Sequence, residues 1–247
     1  MSRSIDILGI PFCPMTEAQA RKEISVLMKS GANARIFTPN PDILMKAREN
    51  RALRAALRGA DLLLPDGVGV ILASRLLKKP LPERITGIDT AEWLLSHAAK
   101  KGLSVYLLGG KKGVAEKAAH RLKKRFPDLR ISGTHHGYFD KRRDSRENRC
   151  VLARIQQATP DILFVCFGCP AQEKWIEENT PTLPSLRLSM GLGGCLDVWS
   201  GEKKRAPAVF QRTGTEWLFR ALCEPRRLSA LLRAPLFFGI VLTTRHQ

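Results

Sequence analysis

No apolar run in this 247-residue chain approaches the roughly 20 residues needed to span a bilayer. The longest late stretch, Leu236 to Leu242, is far too short. The opening Met-Ser-Arg-Ser-Ile-Asp-Ile-Leu-Gly-Ile lacks the apolar region of a secretory signal. A spanning protein is therefore not expected, whereas one lying on a membrane surface is compatible with these features. Cysteine is scattered: of six, only Cys166 and Cys169 stand close together. They lack the second pair, or the histidines at matching spacing, that a zinc site requires. A redox pair and two small residues near a strand end both remain open, and a reducing cytoplasm is the simplest setting. The vicinal His135 and His136 also have no partners at ligand spacing, so no metal and no cofactor are expected. There is no internal repeat and no low-complexity segment.

Acidic residues are in deficit. Against 41 Lys and Arg stand 23 Asp and Glu, a net charge of +18. Such an excess implies anionic company: nucleic acid, anionic lipid or a phosphorylated substrate. No recognition helix or RNA-binding motif is present, which argues against nucleic acid. With 44% hydrophobic and 26% charged residues, a chain of this size can bury a core without disulfides or metals. From Gly201 onward nine Lys and Arg oppose three Glu, an excess of six, and Trp217, Leu222, Phe237 and Phe238 are interleaved. That mixture fits an interfacial element. A solvated charged face fits it as well.

The body alternates short apolar strands with helical patterns, which predicts an α/β fold: a Rossmann-like, mainly parallel sheet flanked by helices. Strands are expected at Ile5–Leu8, Ala34–Thr38, Leu62–Leu64, Ser104–Leu108, Leu129–Ser132, Ile162–Phe167 and Leu186–Met190. Helices are expected at Glu17–Lys29, Ile43–Arg58, Val68–Leu77, Thr90–Lys100, Val114–Arg125, Glu147–Gln157 and Glu173–Glu178, with Thr16, Asp42 and Asp89 at their starts. The alternation stops near Arg205. A catalytic domain over 1–204 and a small basic helical C-terminal appendage over 205–247 are expected.

Open α/β sheets bind ligands beyond the carboxyl ends of their strands, which directs attention to four loops. Thr38-Pro-Asn40-Pro-Asp offers hydrogen-bonding groups on a stiff turn, or is only a strand-to-helix connection. Leu-Pro-Asp66-Gly-Val-Gly puts a carboxylate at a strand tip, where it can take a proton from a hydroxyl or merely cap the next helix. Leu-Leu-Gly109-Gly110-Lys-Lys-Gly113 resembles a phosphate-binding turn but is not a Walker loop. No acidic residue follows it at the spacing that NAD binding wants, so an NADP-dependent oxidoreductase is the surviving dinucleotide alternative. Past the next buried strand, Gln172 and Glu173 can reach sugar or ribose hydroxyls. No Asp-x-Asp occurs anywhere, so a sugar diphosphate would have to be held by cationic side chains and helix N-termini rather than by a metal.

In order along the chain come Thr-Pro-Asn-Pro-Asp at 38–42, Leu-Pro-Asp-Gly-Val-Gly at 64–69, Glu-Arg-Ile-Thr-Gly at 83–87 and Leu-Leu-Gly-Gly at 107–110. Gly-Tyr-Phe at 137–139, Pro-Asp-Ile-Leu at 160–163, Gly-x-Pro-x-Gln-Glu at 168–173 and Gly-Gly-x-x-Asp at 193–197 follow. Arg-Ala-Pro at 205–207, Glu-Trp-Leu-Phe-Arg at 216–220 and Glu-Pro-Arg-Arg at 224–227 complete the series. Over nearly its whole length the chain resembles the WecG/TagA/CpsF glycosyltransferases. The resemblance implies a metal-independent, inverting transferase acting at the cytoplasmic face of the plasma membrane in cell-surface polysaccharide synthesis. The donor it implies is UDP-N-acetylmannosamine or the corresponding uronic acid. The acceptor it implies is undecaprenyl-diphosphate-linked N-acetylglucosamine. Asp66 falls on the family's base and Thr38 on its neighbouring substrate contact, while Arg84 and Gln172 fall on active-site positions. Asn40, Gly109, Gly110, Tyr138, Glu173 and Asp197 join them as substrate-binding candidates. The same resemblance makes the tail a membrane-docking element that lends Arg220, Arg226 and Arg227 to the acceptor diphosphate. Assembly into a homo-oligomer is left open. Two departures from the family pattern stand out: Ala171 where Lys is usual, and Thr215 where Leu is usual.

Overall fold

Strands that read as continuous apolar runs are those a parallel sheet buries on both faces. The computed structural model, which describes residues 4–223 and 234–244, follows that rule. In chain order the elements begin with β1 (Ile5–Ile7), β2 (Ile10–Phe12), α1 (Glu17–Lys29), β3 (Ala34–Phe37), α2 (Pro41–Glu49), α3 (Arg51–Arg58) and β4 (Leu62–Leu63). They continue with α4 (Val68–Leu76), α5 (Gly87–Lys101), β5 (Ser104–Gly109), α6 (Val114–Arg125), β6 (Arg130–His135), α7 (Arg146–Ala158) and β7 (Ile162–Cys166). Then come α8 (Ala171–Asn179), β8 (Leu188–Gly191), α9 (Cys195–Trp199), α10 (Ala208–Arg212), α11 (Glu216–Cys223) and α12 (Ala234–Thr244). Six parallel strands form one sheet in the order β4-β3-β8-β7-β5-β6. Every residue of β5, β7 and β8 is buried.

Helices cover both faces. One apolar cluster packs α1, α5, α6 and α9 on the sheet through residues such as Ile24, Leu94, Ala118 and Leu196. The other packs α2, α3, α4, α7 and α8 on the opposite face, together with the β1–β2 hairpin. Phe237 and Val241 of α12 are buried in this second cluster, so contacts cross the position 204/205. No described helix is long and apolar enough to cross a membrane.

Several boundaries differ from expectation, each for a local reason. Residues 43–58 form two helices rather than one. Asn50 adopts an extended φ of −118° and ψ of 102°, and its side chain caps α3 by accepting from the Leu53 N–H at 2.9 Å. Asn40 and Thr86, not Asp42 and Asp89, are the N-caps of α2 and α5. The first strand lies outside the main sheet. It pairs antiparallel with β2 across a Leu8-Gly9 turn, in which Asp6 accepts from the Gly9 N–H at 2.8 Å. α8 starts at Ala171, two residues earlier than expected, and β6 runs on to His135.

Truncating a fully buried Phe to Ala typically costs about 3–5 kcal/mol. Phe237 is 1% exposed. Phe237→Ala should therefore lower the unfolding free energy of the whole chain by several kcal/mol in urea denaturation. An unchanged midpoint would mean that α12 does not belong to the core.

Candidate active site

From β5 the chain turns outward to β6, and from β7 it turns the other way to β8. Two neighbouring strands whose connections part in this way leave a crevice at their carboxyl ends. Here the tips are pulled together. Gly109 has φ +140°, and a Cβ on it would collide with the Cys166 carbonyl, so only glycine fits. Gly110 N–H donates to that carbonyl at 3.4 Å, and Gly137 N–H donates to the Gly110 carbonyl at 2.8 Å.

A cavity of about 1060 Å³ opens above these tips, bordered by Gly110, Lys111, Tyr138, Lys141, Gly193 and Asp197 among others. α6 points its N-terminus here through Val114, and no side chain caps it; its N-cap, Gly113, is in the left-handed region. The first N–H groups and the helix dipole make such an end a site for an anion. Three lysines reinforce it, with carboxylates interleaved. Lys203 lies 3.5 Å from Asp197. Lys141 donates to the Gly137 and Phe139 carbonyls, and its ammonium stands 4.9 and 4.7 Å from the Phe139 and Phe167 ring centres. Burial pushes its pKa down, while Asp140 opposes that shift.

Gln172 is 4% exposed and lies behind the cavity wall. Its Oε1 accepts from the N–H groups of Gly168 at 3.2 Å and Gly193 at 2.8 Å, both on the cavity wall. Its Nε2 donates to Glu173 Oε1 at 2.9 Å. Glu173 is 1% exposed, burial raises its pKa, and its Oε2 has no hydrogen-bond partner. The pair thus latches the loop after β7 to the loop after β8. On its far side it feels the charge of Lys46 on α2.

A second cluster sits on the tips of β3 and β4. Leu64 N–H donates to the Phe37 carbonyl at 2.9 Å, Asp66 N–H to Pro39 at 3.3 Å, and Ile85 N–H to Pro65 at 3.0 Å. Pro41 packs on Gly67 and Gly69, and Thr38 packs on Gly87, where an added Cβ would meet Thr38 Oγ1 at 2.8 Å. Asn40 Oδ1 is engaged in capping α2, at 3.0 Å from Ile43 N. Arg84 reaches the C-terminal helices: it donates to the Gln211 carbonyl at 2.7 Å and pairs with Glu216 at 3.4 Å. Arg205 pairs with Asp89 of α5 nearby.

The expected site residues thus fall into two groups along one edge of the sheet, with Gln172 and Glu173 beneath the cavity loops. Gly110, Tyr138 and Asp197 line the cavity, and Gly109 is buried at the tip beneath it; Thr38, Asn40, Asp66 and Arg84 belong to the neighbouring tips. Arg220 lies on α11, which Glu216 ties to Arg84; Arg226 and Arg227 lie outside the described residues. Lys111, Lys141 and Lys203 were not singled out from the sequence. Only their nearness to the glycine turns could have pointed to them. Cys166 and Cys169 are free thiols whose pKa values burial pushes up, which disfavours thiolate chemistry. His136 Nδ1 accepts from the Tyr138 N–H at 3.2 Å, so it shapes the turn. Among the described residues no group of three or more His, Cys, Asp or Glu is placed to hold a metal ion.

A parallel sheet with an anion-suited crevice at its switch point, beside a carboxylate-bearing strand tip, can seat a phosphorylated substrate and take a proton from it. The chain belongs to the glycosyl transferase WecG/TagA/CpsF family, whose model matches residues 5–247; it is a glycosyltransferase. It is 37% identical over 235 residues to a Staphylococcus aureus (strain MRSA252) protein named N-acetylglucosaminyldiphosphoundecaprenol N-acetyl-beta-D-mannosaminyltransferase, covering 94% of this chain and 90% of that one. Proteins of the same name from strains NCTC 8325 / PS 47 and N315 match at the same identity and coverage.

Gln172→Ala leaves the buried Glu173 carboxyl without its amide donor, as well as the Gly168 and Gly193 N–H groups without their acceptor. Orphaning a buried polar group costs about 1–3 kcal/mol, and a loss of that size is expected in denaturant unfolding. A variant as stable as the parent would show that the latch is not needed.

Proposed function

We propose that this enzyme transfers N-acetylmannosamine from UDP to a polyprenyl-diphosphate-linked N-acetylglucosamine, with inversion, during cell-surface polysaccharide synthesis. The names of its staphylococcal relatives support the sugar and the acceptor. One observation carries the chemistry: the uncapped α6 N-terminus and the lysine-lined cavity lie on the same carboxyl edge of the sheet as the loop that bears Asp66, with β3 next to β8 and β4 beyond it.

The donor diphosphate rests against α6 and the lysines, with Gly110 on the cavity wall and Gly109 letting the tips of β5 and β7 close beneath it. Tyr138 and Asp197 at the cavity mouth face the uridine and sugar hydroxyls. The acceptor hydroxyl attacks the anomeric carbon opposite the diphosphate; the new C–O bond forms as the bond to the UDP oxygen breaks. Asp66 takes the hydroxyl proton, and Thr38 orients the acceptor beside it. Gln172, Glu173 and Asn40 act by holding the loops in register. The negative charge gathering on UDP is met by N–H groups and ammonium groups without a metal. Arg84, Arg220, Arg226 and Arg227 serve the acceptor diphosphate at the C-terminal side.

A lipid-linked acceptor requires a membrane-proximal site. The outer faces of α4 and α12 support that placement: Leu72, Leu76, Leu236 and Leu242 are exposed on two helices packed together, with Arg75, Lys78 and Lys79 beside them. Such a face lies flat in an anionic membrane surface.

Asp66→Asn keeps the size of the side chain and removes the base, so turnover should fall by about 10² to 10⁴-fold with UDP affinity retained. Near-parental turnover would refute the assignment. Turnover should also persist in excess EDTA. A strict requirement restored by a divalent ion would contradict a diphosphate held by N–H and ammonium groups alone.

A further inference from the structure

Far from the strand tips, a second cavity of about 360 Å³ is bordered by Asp6, Leu8, Gly9, Arg48, Arg54, Leu77 and Thr244. It lies where α2 and α4 end, and both helices begin at the strand tips, so it stands apart from the catalytic cavity. Arg48 and Arg54 make no hydrogen bond or ion pair among the described residues, and Arg54 Nε is shielded from solvent without a partner. A shielded guanidinium nitrogen lacking an acceptor is uncommon, because its desolvation goes uncompensated. Asp6 also borders the cavity, one carboxylate oxygen accepting from the Gly9 N–H at 2.8 Å, so it offsets one of the two guanidinium charges and leaves the other in excess. The cavity lining therefore carries two guanidinium groups against one carboxylate, a donor set that suits a phosphate.

What surrounds the cavity selects the kind of phosphate. Leu77 follows α4 and Thr244 closes α12, the two helices whose exposed leucines form the apolar face. A phosphate seated here would have its ester substituents beside that face. We propose that the Arg48–Arg54 cavity binds the phosphodiester headgroup of an anionic membrane lipid. The proposal rests on the membrane-docking reading of α4 and α12 and gives it an orientation. Nine residues of α4 span roughly 13 Å, with the Asp66 loop at one end and this cavity at the other. A headgroup held at the far end would lay α4 along the surface and present the Asp66 end to a lipid-linked acceptor.

The test compares two variants of the full chain that lose equal charge: Arg48→Gln/Arg54→Gln in the cavity, and Arg75→Gln/Lys79→Gln on the rim. Co-sedimentation is measured with phosphatidylcholine vesicles containing phosphatidylglycerol, at fixed ionic strength. The cavity variant should lose several-fold more binding than the rim variant, while both keep turnover on a water-soluble acceptor. Arg54→Lys, which retains the charge but not the fork, should lose binding in part, and it covers the case of a double variant that does not fold. Short-chain phosphatidylglycerol should raise the parental thermal midpoint, and inorganic phosphate should not. Equal losses from cavity and rim would reduce the effect to diffuse charge and overturn the site. An equal rise with inorganic phosphate would make it a free-anion site and overturn the lipid assignment. A parental chain that ignores the vesicles would overturn the docking reading and this site together.

Discussion

The tips of β5 and β7 stand so close that the Cys166 carbonyl takes the space of a Gly109 side chain. That approach follows from a sheet buried on both faces, in which polar function can emerge only at the strand ends. Once the tips are locked, the loops after β7 and β8 must also be held, and Gln172 does this with one oxygen shared between two backbone N–H groups. Glu173 fixes the other end of the same amide. The crevice is thus preorganised by backbone contacts before any ligand arrives. Electrostatic stabilisation of a leaving diphosphate requires this, because dipoles already in place need no reorganisation.

The charge of the chain is apportioned unevenly. In the cavity above β5 and β7 the lysines alternate with carboxylates, as in the Lys203–Asp197 pair, so the helix N-terminus and a few ammonium groups set the local field. Around α3 and α4 the arginines and lysines are largely exposed and border apolar side chains. One part of the excess suits a soluble diphosphate and the other an anionic surface. A single net figure cannot separate the two.

Much of the sheet was legible in the sequence, since β5 and β7 are continuous apolar runs between glycine-bearing turns. The first strand misled, because Ile5–Leu8 has the composition of a sheet strand yet is diverted into a hairpin by two residues with positive φ, Leu8 and Gly9. The break at Asn50 was masked by apolar periodicity that persists through 43–58 while the backbone leaves the helix for one residue. At the site, Asp66, the glycine turns and Gln172 could be located by their place after strands, but not their partners. Arg84 meets Glu216 across 132 positions, and Gln172 meets Gly193 across 21; such pairings depend on the order of strands, which local pattern does not encode.

The position of bound UDP is the most direct test of the proposed chemistry. A crystal structure of the complex should place the diphosphate at the N-terminus of α6, between Gly110 and Gly193, with its terminal phosphate toward the Asp66 loop and no metal bridging it. A diphosphate held in the Arg48–Arg54 cavity, or turned so that its terminal phosphate points away from Asp66, would contradict that chemistry.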